Sequence, residues 1–316
     1  MKDLSNGIGL LNDKYIIKAK LGEGGYSTVY KVINSSTNKE YAAKIVEQYC
    51  RNEIKVNQQL AKLQSPYIIK YIEYSQGTIK MGNDEDYMPY FIFELATKGD
   101  LSKYLECGKN GFSEEHSKFI SYEILKAFQE IHKAEICHKD IKAENILLDT
   151  DDYHIKICDF GFSSNSSELQ SGIFGTKCYM APEIIMGKEY DGIKADIFSL
   201  GVLFLYIRTT KFLFDQAKVT NGNNTTYDYI KNKSDNIWKI AETNLSICGL
   251  SEAFKELYLR MVAFNPKERP SIKEIINGEW MKGITNLSEN EYMEIKKEVV
   301  EEFKEREAII QYNKEV

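Results

Sequence analysis

The sequence lacks any apolar stretch long enough to cross a lipid bilayer, which takes about 20 residues in a helix. Its most apolar run, Ile197 to Ile207, is too short for that and is interrupted by Ser199 and Gly201. The first residues, MKDLSNGIGLLNDKY, contain no apolar core of the kind found in secretory signal peptides. Lysine at position 2 does not fit the N-terminal myristoylation pattern, which needs glycine there. We therefore expect no membrane partner.

The sequence also lacks a strong charge of either sign. It has 41 Lys and Arg residues against 47 Asp and Glu residues, for a formal net charge of −6, and its pI is near 5.5. Proteins that bind nucleic acid through bulk electrostatics carry a basic excess, so we expect no nucleic-acid partner.

Paired cysteines are a third absence. The six cysteines are scattered, and no two of them have the Cys-x-x-Cys spacing of zinc sites and redox motifs. Neither a zinc site nor a disulfide framework is expected, and reduced thiols in a cytoplasmic protein fit the pattern best. The cysteines are Cys50, Cys107, Cys137, Cys158, Cys178 and Cys248.

A β-hairpin is predicted within the stretch from Ile136 to Gly161. An apolar run, Ile146-Leu147-Leu148, and an alternating run from His154 to Cys158 predict its strands. The polar residues Asp149-Thr150-Asp151-Asp152 predict its turn. Such a hairpin would bring the residues just before it and just after it to one end of the structure.

Four polar residues flank this hairpin. Asp140, Lys142 and Asn145 precede it, and Asp159 follows it. Phosphoryl transfer needs a base that orients a hydroxyl, oxygen ligands for Mg²⁺ and a cation near the phosphates, and these residue types can supply them. The simple alternative is that both aspartates are ordinary turn residues.

The same stretch resembles the eukaryotic protein kinases. The segment HKDIKAEN, His138 to Asn145, resembles their H-R-D-x-K-x-x-N catalytic loop, and Asp159-Phe160-Gly161 matches their DFG motif. The resemblance extends from about Tyr15 to Trp280. The lysine and asparagine of Lys142-Ala-Glu-Asn145 are typical of the serine/threonine type, and a divergent calmodulin-dependent-kinase-like member is the closest match.

The resemblance implies an α+β, two-lobed protein-kinase fold with ATP between the lobes. The kinase domain would cover residues 15–282, with a mainly β N-lobe at 15–96 and a mainly α C-lobe at 97–282. Residues 1–14 would form an N-terminal extension and residues 283–316 a C-terminal helical extension.

The resemblance also implies the activity, which is ATP- and Mg²⁺-dependent phosphorylation of Ser or Thr hydroxyls in protein substrates. Asp140 would orient the hydroxyl, Lys142 would stabilise the transferring charge, and Asn145 and Asp159 would hold Mg²⁺. The alternative is a pseudokinase that acts as a binding scaffold. The presence of Lys44, Asp140, Asn145 and Asp159 argues against that alternative. An irregular first helix and Ser27 in an irregular glycine loop keep it open.

That loop lies between two strands predicted within the range Tyr15 to Ile33. A strand–loop–strand unit can offer backbone N–H groups to phosphates, and the absence of a following helix disfavours a dinucleotide-binding βαβ unit. Gly22, Gly24 and Val29 fit the kinase pattern G-x-G-x-x-G-x-V, but Ser27 replaces the third glycine. On its own, such a loop is more often a hairpin turn.

A third strand, Glu40 to Val46, contains Ala-Ala-Lys-Ile, which resembles the V-A-I-K motif. The resemblance makes Lys44 the residue that contacts the α- and β-phosphates, whereas a lone lysine in a strand is usually solvated. Its candidate partner is Glu53, in a helix predicted from Arg51 to Leu63. Glu47 is the alternative partner, and Glu53 would then be a surface glutamate.

Two further strands are predicted at Pro66 to Ile72 and Tyr90 to Ala96, with a polar turn at Gly82 to Asp86 between them. By resemblance Phe93 is the gatekeeper, and the segment from Glu94 to Ala96 hydrogen-bonds adenine. The residues implied to contact ATP are Leu21, Gly22, Glu23, Gly24, Gly25, Val29, Ala42, Lys44, Glu53, Phe93, Glu94, Ala96 and Leu147.

The activation segment of the resemblance is rich in hydroxyls from Ser163 to Gly172. Lys139 stands where phosphorylation-activated kinases have an arginine that grips the loop phosphate. A lysine ammonium is a single point charge, whereas an arginine guanidinium can form two parallel hydrogen bonds to one phosphate. We therefore expect phosphorylation of this segment to stimulate the activity only modestly. Thr176 is expected to meet the catalytic residues, and Glu183 is expected to pair with Arg269.

Two acidic residues, Asp100 and Glu144, correspond to positions that accept an arginine upstream of the target residue in basic-directed kinases. We therefore expect Ser targets with upstream Arg. Two solvated surface acids are an equally good explanation.

The C-terminal residues Ser288 to Tyr312 have helical apolar spacing, and their acids outnumber their bases. Calmodulin targets are basic, so calmodulin is not expected as a partner. A packing helix is favoured over an autoinhibitory segment. A core helix is predicted to begin at Ser113, with Ile120, Ile124, Phe128 and Ile131 facing inward.

Overall fold

The computed structural model describes residues 8–25, 27–48, 50–218 and 225–315. The chain divides into two compact units, Met1–Thr97 and Lys98–Val316. The division falls one residue beyond the lobe boundary that the sequence predicts. The first unit is mainly β and the second mainly α.

The N-terminal unit is a closed antiparallel barrel around one apolar core. Alternating side chains of its strands point inward. Leu11, Ile17, Val32, Ala43 and Ile92 are each 0% exposed. In sheet order, the strands are β1 (Gly9–Leu11), β2 (Tyr15–Glu23), β3 (Ser27–Asn34), β4 (Glu40–Val46), β6 (Asp84–Phe93) and β5 (Tyr71–Met81).

Strand β1 closes the barrel by pairing with both β2 and β5. It belongs to the segment 1–14 that is predicted to be an extension, so residues 9–11 of that segment are part of the barrel. A three-residue strand shows almost no alternation, and this explains why the sequence pattern did not reveal it.

The β5–β6 hairpin also differs from the prediction. The strand expected at Pro66 to Ile72 begins at Tyr71, and the strand expected at Tyr90 to Ala96 begins at Asp84 and ends at Phe93. The turn is tighter than the expected polar loop, because Gly82 adopts a positive φ of 63° directly between the strands.

Helix α1 (Arg51–Ala61) carries the predicted Glu53. Its side chains Val56 and Leu60 are buried. The helix was predicted to reach Leu63, but it ends at Ala61, and Leu63 is 42% exposed.

The C-terminal unit is built around two buried helices. Helix α3 (Glu114–Lys133) starts at the predicted N-cap Ser113, whose side chain accepts a hydrogen bond from His116 N. Its predicted inward residues, Ile120, Ile124, Phe128 and Ile131, are all 0% exposed, so this prediction is confirmed. Helix α5 (Gly192–Thr209) is apolar around its whole circumference, as expected of a buried helix.

Shorter helices complete this unit. The remaining helices are α2 (Leu101–Leu105), α4 (Pro182–Ile185), α6 (Thr226–Lys231), α7 (Ile237–Leu245), α8 (Glu252–Met261), α9 (Ile272–Ile276), α10 (Lys282–Thr285) and α11 (Glu289–Glu315).

Small sheets position the functional loops. The predicted hairpin is present as two antiparallel strands joined at residues 150–153, with a third short strand beside it. A second pair ties the start of the activation segment to the residues before the catalytic loop. The strands are β7 (Gly99–Asp100), β8 (Ile136–Cys137), β9 (Ile146–Asp149), β10 (His154–Ile157) and β11 (Ser164–Asn165).

The long C-terminal helix α11 packs against α2 and α3. Its Phe303 is 2% exposed and its ring contacts those of Tyr104, Phe112 and Tyr153. This is the packing role that the sequence favours. In the part of the chain that the structure describes, no helix is both long and apolar enough to cross a membrane.

Candidate active site

The barrel register aligns several predicted ATP-contacting residues on one face of the N-terminal unit. Val29 lies opposite Gly22 on β2 and opposite Lys44 on β4, and Ala42 lies opposite Phe93 on β6. Directly opposed residues in an antiparallel pair share a face, as do residues two apart on one strand. Val29, Ala42, Lys44 and Phe93 therefore lie on the face opposite to the one that fills the barrel core.

Lys44 is held by an ion pair inside this unit. Its Nζ lies 2.6 Å from Oε1 of Glu53, and the two residues are 9% and 3% exposed. The predicted partner is therefore the observed one, while the alternative, Glu47, is exposed. Asn57, one turn further along α1, donates from its side chain to the Glu53 carbonyl at 2.9 Å and supports the same turn.

The glycine loop turns back on itself where Gly24 N donates to Ser27 O at 2.8 Å. A Cβ added to Gly22 or Gly25 would meet no other atom of the described residues within 4 Å. Neither glycine has a positive φ. Nothing within the described unit therefore requires glycine at these positions. Leu21, Glu23 and Gly24 are exposed beside them.

The segment after β6 begins with a fixed residue. Glu94 donates its N–H to Lys70 O at 3.0 Å, and its carboxylate accepts from Lys70 N at 2.8 Å. Ala96 follows it with a half-buried side chain. Leu147, the remaining predicted ATP contact, lies on β9 of the C-terminal unit, half-buried between buried neighbours.

The catalytic loop of the C-terminal unit brings Asp140 together with the predicted residues around it. Lys142 Nζ lies 2.9 Å from Asp140 Oδ2. The Asn145 side-chain amide donates to the Asp140 carbonyl at 2.8 Å and to Oδ2 at 3.3 Å. Thr176 Oγ1 donates to Asp140 Oδ1 at 2.9 Å and accepts from Lys142 Nζ at 3.1 Å. A hydroxyl thus already lies against the aspartate, as the sequence predicts for Thr176.

The carboxylate of Asp140 also sets the charge of its neighbour. Burial alone would lower the pKa of Lys142. The hydrogen bond and the charge of Asp140, with Glu144 and Asp159 nearby, outweigh burial and raise that pKa above its ordinary value. Lys142 therefore stays a cation at neutral pH beside the hydroxyl of Thr176.

Asp196 holds the backbone of the catalytic loop, a role that sequence reasoning missed. Its carboxylate accepts from His138 N at 2.8 Å and from Lys139 N at 2.9 Å, and lies 2.9 Å from His132 Nε2. The His138 ring, 0% exposed, packs on Phe160 with ring centroids 5.0 Å apart. No local pattern in the sequence indicates that His132 contacts Asp196, which lies 64 residues away.

Asp159 is placed by an unusual backbone conformation. Its φ is +61°, and its exposed carboxylate accepts from Gly161 N at 3.3 Å. The preceding residue, Cys158, donates its N–H to Asn145 O at 3.0 Å, which joins the two ends of the hairpin. The hairpin therefore brings Asp159 and Asn145 to one end, as predicted.

Asn145 and Asp159 fit a hard divalent cation. The hydrogen bonds between the Asn145 side chain and Asp140 use the amide nitrogen, so the amide oxygen points away from Asp140. An amide oxygen and a carboxylate are the donors that Mg²⁺ prefers.

The predicted ion pair between Glu183 and Arg269 is present. Arg269 Nη1 and Nη2 lie 2.6 and 2.8 Å from the two carboxylate oxygens, and Arg269 is 1% exposed. Its guanidinium also lies 5.1 Å from the centroid of the Phe198 ring. This buried, bidentate ion pair connects the end of the activation segment, at Glu183, to the segment between α8 and α9 that contains Arg269.

The two candidate substrate acids differ in their surroundings. Asp100 caps α2, where it accepts from Lys103 N, and it pairs with Lys103 Nζ at 2.8 Å. Glu144 is exposed in the short 3₁₀ helix Ala143–Asn145.

Comparison with known proteins identifies the family. The model of the protein kinase domain matches residues 15–281. Serine/threonine-protein kinase SAPK1 of Oryza sativa subsp. japonica is 28% identical over 278 residues, 85% of this chain and 75% of that protein. Calcium-dependent protein kinase 5 of Plasmodium berghei (strain Anka) is 33% identical over 305 residues, 92% of this chain and 49% of that protein. SNF-related serine/threonine-protein kinase of Homo sapiens is 26% identical over 329 residues, 96% of this chain and 40% of that protein.

The chain therefore belongs to the protein kinase family. The predicted serine/threonine type and the α+β kinase fold are confirmed. The narrower calmodulin-dependent-kinase-like assignment stays a prediction.

Proposed function

We propose that this chain transfers the γ-phosphoryl group of ATP, with Mg²⁺, to serine and threonine hydroxyls of protein substrates. One observation carries the proposal: the hydroxyl of Thr176 donates from Oγ1 to Asp140 Oδ1 at 2.9 Å. The Lys142 ammonium lies 3.1 Å from that hydroxyl oxygen, Thr176 Oγ1. A substrate hydroxyl in the place of Thr176 would meet a base and a cation together.

The roles of these residues follow from their contacts. Asp140, 5% exposed, accepts the hydroxyl hydrogen bond and orients the oxygen for attack. Lys142 faces the same oxygen and stabilises the negative charge that spreads over the transferring group. Asn145 and Asp159 would hold Mg²⁺, which when bound neutralises the charge of the phosphate oxygens.

The glycines of the N-terminal unit support ATP as the phosphoryl donor. Gly22 and Gly25 have backbone conformations that other residues can adopt, and no atom of the described residues lies within 4 Å of where their Cβ would stand. A close approach of phosphates to the backbone N–H groups would account for glycine there. Lys44, held by its ion pair with Glu53, would contact the same phosphates.

The test of this function is transfer of radiolabelled phosphate from ATP to a Ser/Thr peptide library. Asp159→Ala should abolish Mg²⁺-dependent transfer, because the cation loses a carboxylate ligand. Asp140→Asn should lower turnover by about 10³-fold or more while the affinity for ATP stays nearly unchanged.

The alternative is a pseudokinase that binds a partner without catalysis. Wild-type protein that bound ATP but gave no more product than the Asp140→Asn variant would establish that alternative. An Asp159→Ala variant as active as the wild type would also show that the assigned chemistry is wrong.

We further propose that substrates carry arginine upstream of the target serine. The exposed carboxylate of Glu144 and the half-buried one of Asp100 would accept its guanidinium. The existing ion pair of Asp100 with Lys103 would have to exchange, so Glu144 should matter more. Glu144→Gln should lower the preference for upstream arginine about 5–10-fold in kcat/KM, whereas Glu256→Gln, at an exposed site on α8, should not. A library that selected acidic or proline-flanked targets would contradict this specificity.

We also infer a cytoplasmic location. All six cysteines are free thiols, which a reducing compartment maintains. Cell fractionation with an antibody to the chain would test this, and recovery in a secreted fraction would contradict it.

A further inference from the structure

One polar side chain of the activation segment is buried while its neighbours are exposed. Gln170 is 8% exposed, whereas Leu169 is 64% exposed and Glu168 and Ser171 lie at the surface. Burying a side-chain amide costs free energy unless its donors and acceptors are satisfied. The contacts of Gln170 show how that cost is offset.

The Gln170 side chain is hydrogen-bonded at both of its polar atoms. Its Oε1 accepts from Ser164 Oγ and lies 3.4 Å from the donor Lys139 Nζ. Its Nε2 donates to Asn165 O at 2.9 Å and to Glu168 O at 2.7 Å. These bonds fold the segment between residues 164 and 170 around the amide.

The backbone of Gln170 is anchored as well. It exchanges two hydrogen bonds with Tyr190, of 2.7 Å from Gln170 N and 2.9 Å from Tyr190 N. A Cβ added at Gly192 would lie 3.2 Å from Gln170 Cγ, so the side chain packs closely on the start of α5. Gln170 thus links the activation segment to the helix whose Asp196 holds the catalytic loop.

Lys139, directly before the catalytic Asp140, is enclosed by the same segment. Its Nζ lies near Gln170 and 5.5 Å from the centroid of the Phe174 ring. Its carbonyl oxygen lies 2.6 Å from where a Cβ of Gly175 would stand, and Gly175 has a φ of +103°. Burial lowers the pKa of Lys139 below its ordinary value, against the opposing charges of Cys137 and Asp196. A neutral amide oxygen suits a cation in such surroundings.

We propose that Gln170 is a positioning residue that holds the activation segment, through Lys139 and Tyr190, in the conformation that places Thr176 against Asp140. It does so without a phosphorylated side chain. The inference rests on the proposed function for its kinetic consequences. The segment geometry itself is independent of that function.

The experiment compares Gln170→Leu, which has a similar size and no polar atoms, with Gln170→Glu, which keeps the acceptor and loses the two donors. The exposed neighbour Ser171→Ala is the matched control. All proteins are treated with phosphatase. Amide hydrogen exchange of residues 163–176, turnover of a Ser peptide and affinity for ATP are measured on each.

We expect Gln170→Leu to speed amide exchange in residues 163–176 by about 10-fold or more and to lower kcat for the peptide by a similar factor. The affinity for ATP should stay unchanged, because the N-terminal unit carries most of the predicted ATP contacts. Gln170→Glu should restore most of the turnover, and Ser171→Ala should match the wild type. Adding Lys139→Met to Gln170→Leu should lower kcat for the peptide little further, since both changes remove the same contact.

Wild-type exchange and turnover in Gln170→Leu would overturn the proposal. If Gln170→Leu failed to fold, the proposal would be tested with Gln170→Glu. Because this variant loses the two donors, amide exchange in residues 163–168 should still be faster than in the wild type. Unchanged exchange in these residues would overturn the proposal. If the wild type transferred no phosphate, the proposed function would fail, and the exchange data would still test the role of Gln170.

Discussion

Lys44 Nζ lies 2.6 Å from Glu53 Oε1, and both side chains are buried in the N-terminal unit. A buried ammonium needs this carboxylate to keep its charge and its direction. We predict that Glu53→Gln lowers kcat/KM for ATP by about 10–100-fold, since a misplaced cation no longer matches the phosphates. Steady-state kinetics with varied ATP would measure it.

Glu47→Gln is the matched control, because Glu47 is an exposed acid near the end of the same strand. It should behave as the wild type. Equal losses in the two variants would show that the effect comes from general charge and not from the ion pair.

Local motifs explain why much of the site could be predicted. Asp140, Lys142 and Asn145 lie within one short loop, and the hairpin that adds Asp159 has a clear turn signal. Gln170 and His132 were not predicted, because their partners Lys139 and Asp196 lie 31 and 64 residues away in the sequence. A lone polar residue gives no periodicity, and only the folded chain shows what it contacts.

The strands were harder to delimit than the helices. Helix α3 begins at the predicted cap, because Ser113 and the acidic first turn act locally. Strands β1, β5 and β6 end where their partners end, and the pairing of β1 with β5 joins residues about 70 positions apart. Local composition does not contain that information.

We predict appreciable activity without phosphorylation of the activation segment. Lys139 can offer a phosphate only a point charge, whereas an arginine at this position would form two hydrogen bonds. The loss of one of those two bonds is worth about 1 kcal/mol, which changes the population of the active conformation several-fold. Ser163 is excluded as an acceptor in this conformation, since it is 0% exposed and donates to His138 O. Ser167 and Ser171 are exposed.

Turnover of phosphatase-treated enzyme would be compared with turnover after autophosphorylation, with sites mapped by mass spectrometry. We expect stimulation below about 10-fold. A rise of about 100-fold or more that depended on one exposed serine would contradict the prediction.

The stability of the C-terminal unit should depend on Arg306. This side chain is 1% exposed, donates to Tyr104 O and Asn110 O, and pairs with Glu302 at 2.6 Å. Arg306→Leu would leave the half-buried carboxylate of Glu302 and two carbonyls without these donors. We expect the free energy of unfolding to fall by about 3–5 kcal/mol, measured by urea denaturation. Arg306→Lys should recover part of it, and a loss below about 1 kcal/mol in Arg306→Leu would show that α11 is held by its apolar residues alone.

The contact between His116 and Glu302 should make stability depend on pH. His116 Nδ1 lies 2.5 Å from the Glu302 carboxylate, and Nε2 lies 3.5 Å from that of Glu298. The hydrogen bond that the His116 imidazole donates to Glu302 raises the pKa of His116 above its ordinary value, although burial opposes this. Burial alone would raise the pKa of Glu302, but His116 and Arg306 together lower it. Lys109, Lys297, Glu301 and Glu305 line the same surface cavity as His116.

The signs define a pH window. Because the pKa of His116 is raised in the folded protein, its ion pair stabilises the fold fully at pH values below its unfolded pKa near 6.5. That stabilisation is lost as the pH rises through the folded pKa. Glu302, with a lowered folded pKa, contributes above its unfolded value near 4.5 and loses its contribution as the pH falls through the folded pKa. Both contributions are complete between these two unfolded values.

We therefore predict that His116→Gln lowers Tm most near pH 6, by about 2 °C for a loss of about 1 kcal/mol, and least near pH 9. Thermal unfolding of both proteins across this range would measure the difference. His154→Gln is the control, because it removes another half-buried histidine, which lies on β10 and not beside His116 on α3. The change in Tm that it causes should not show the same dependence on pH. A His116→Gln effect that grew between pH 6 and pH 9 would mean that the imidazole is neutral in the folded protein and that the assigned direction of its pKa shift is wrong.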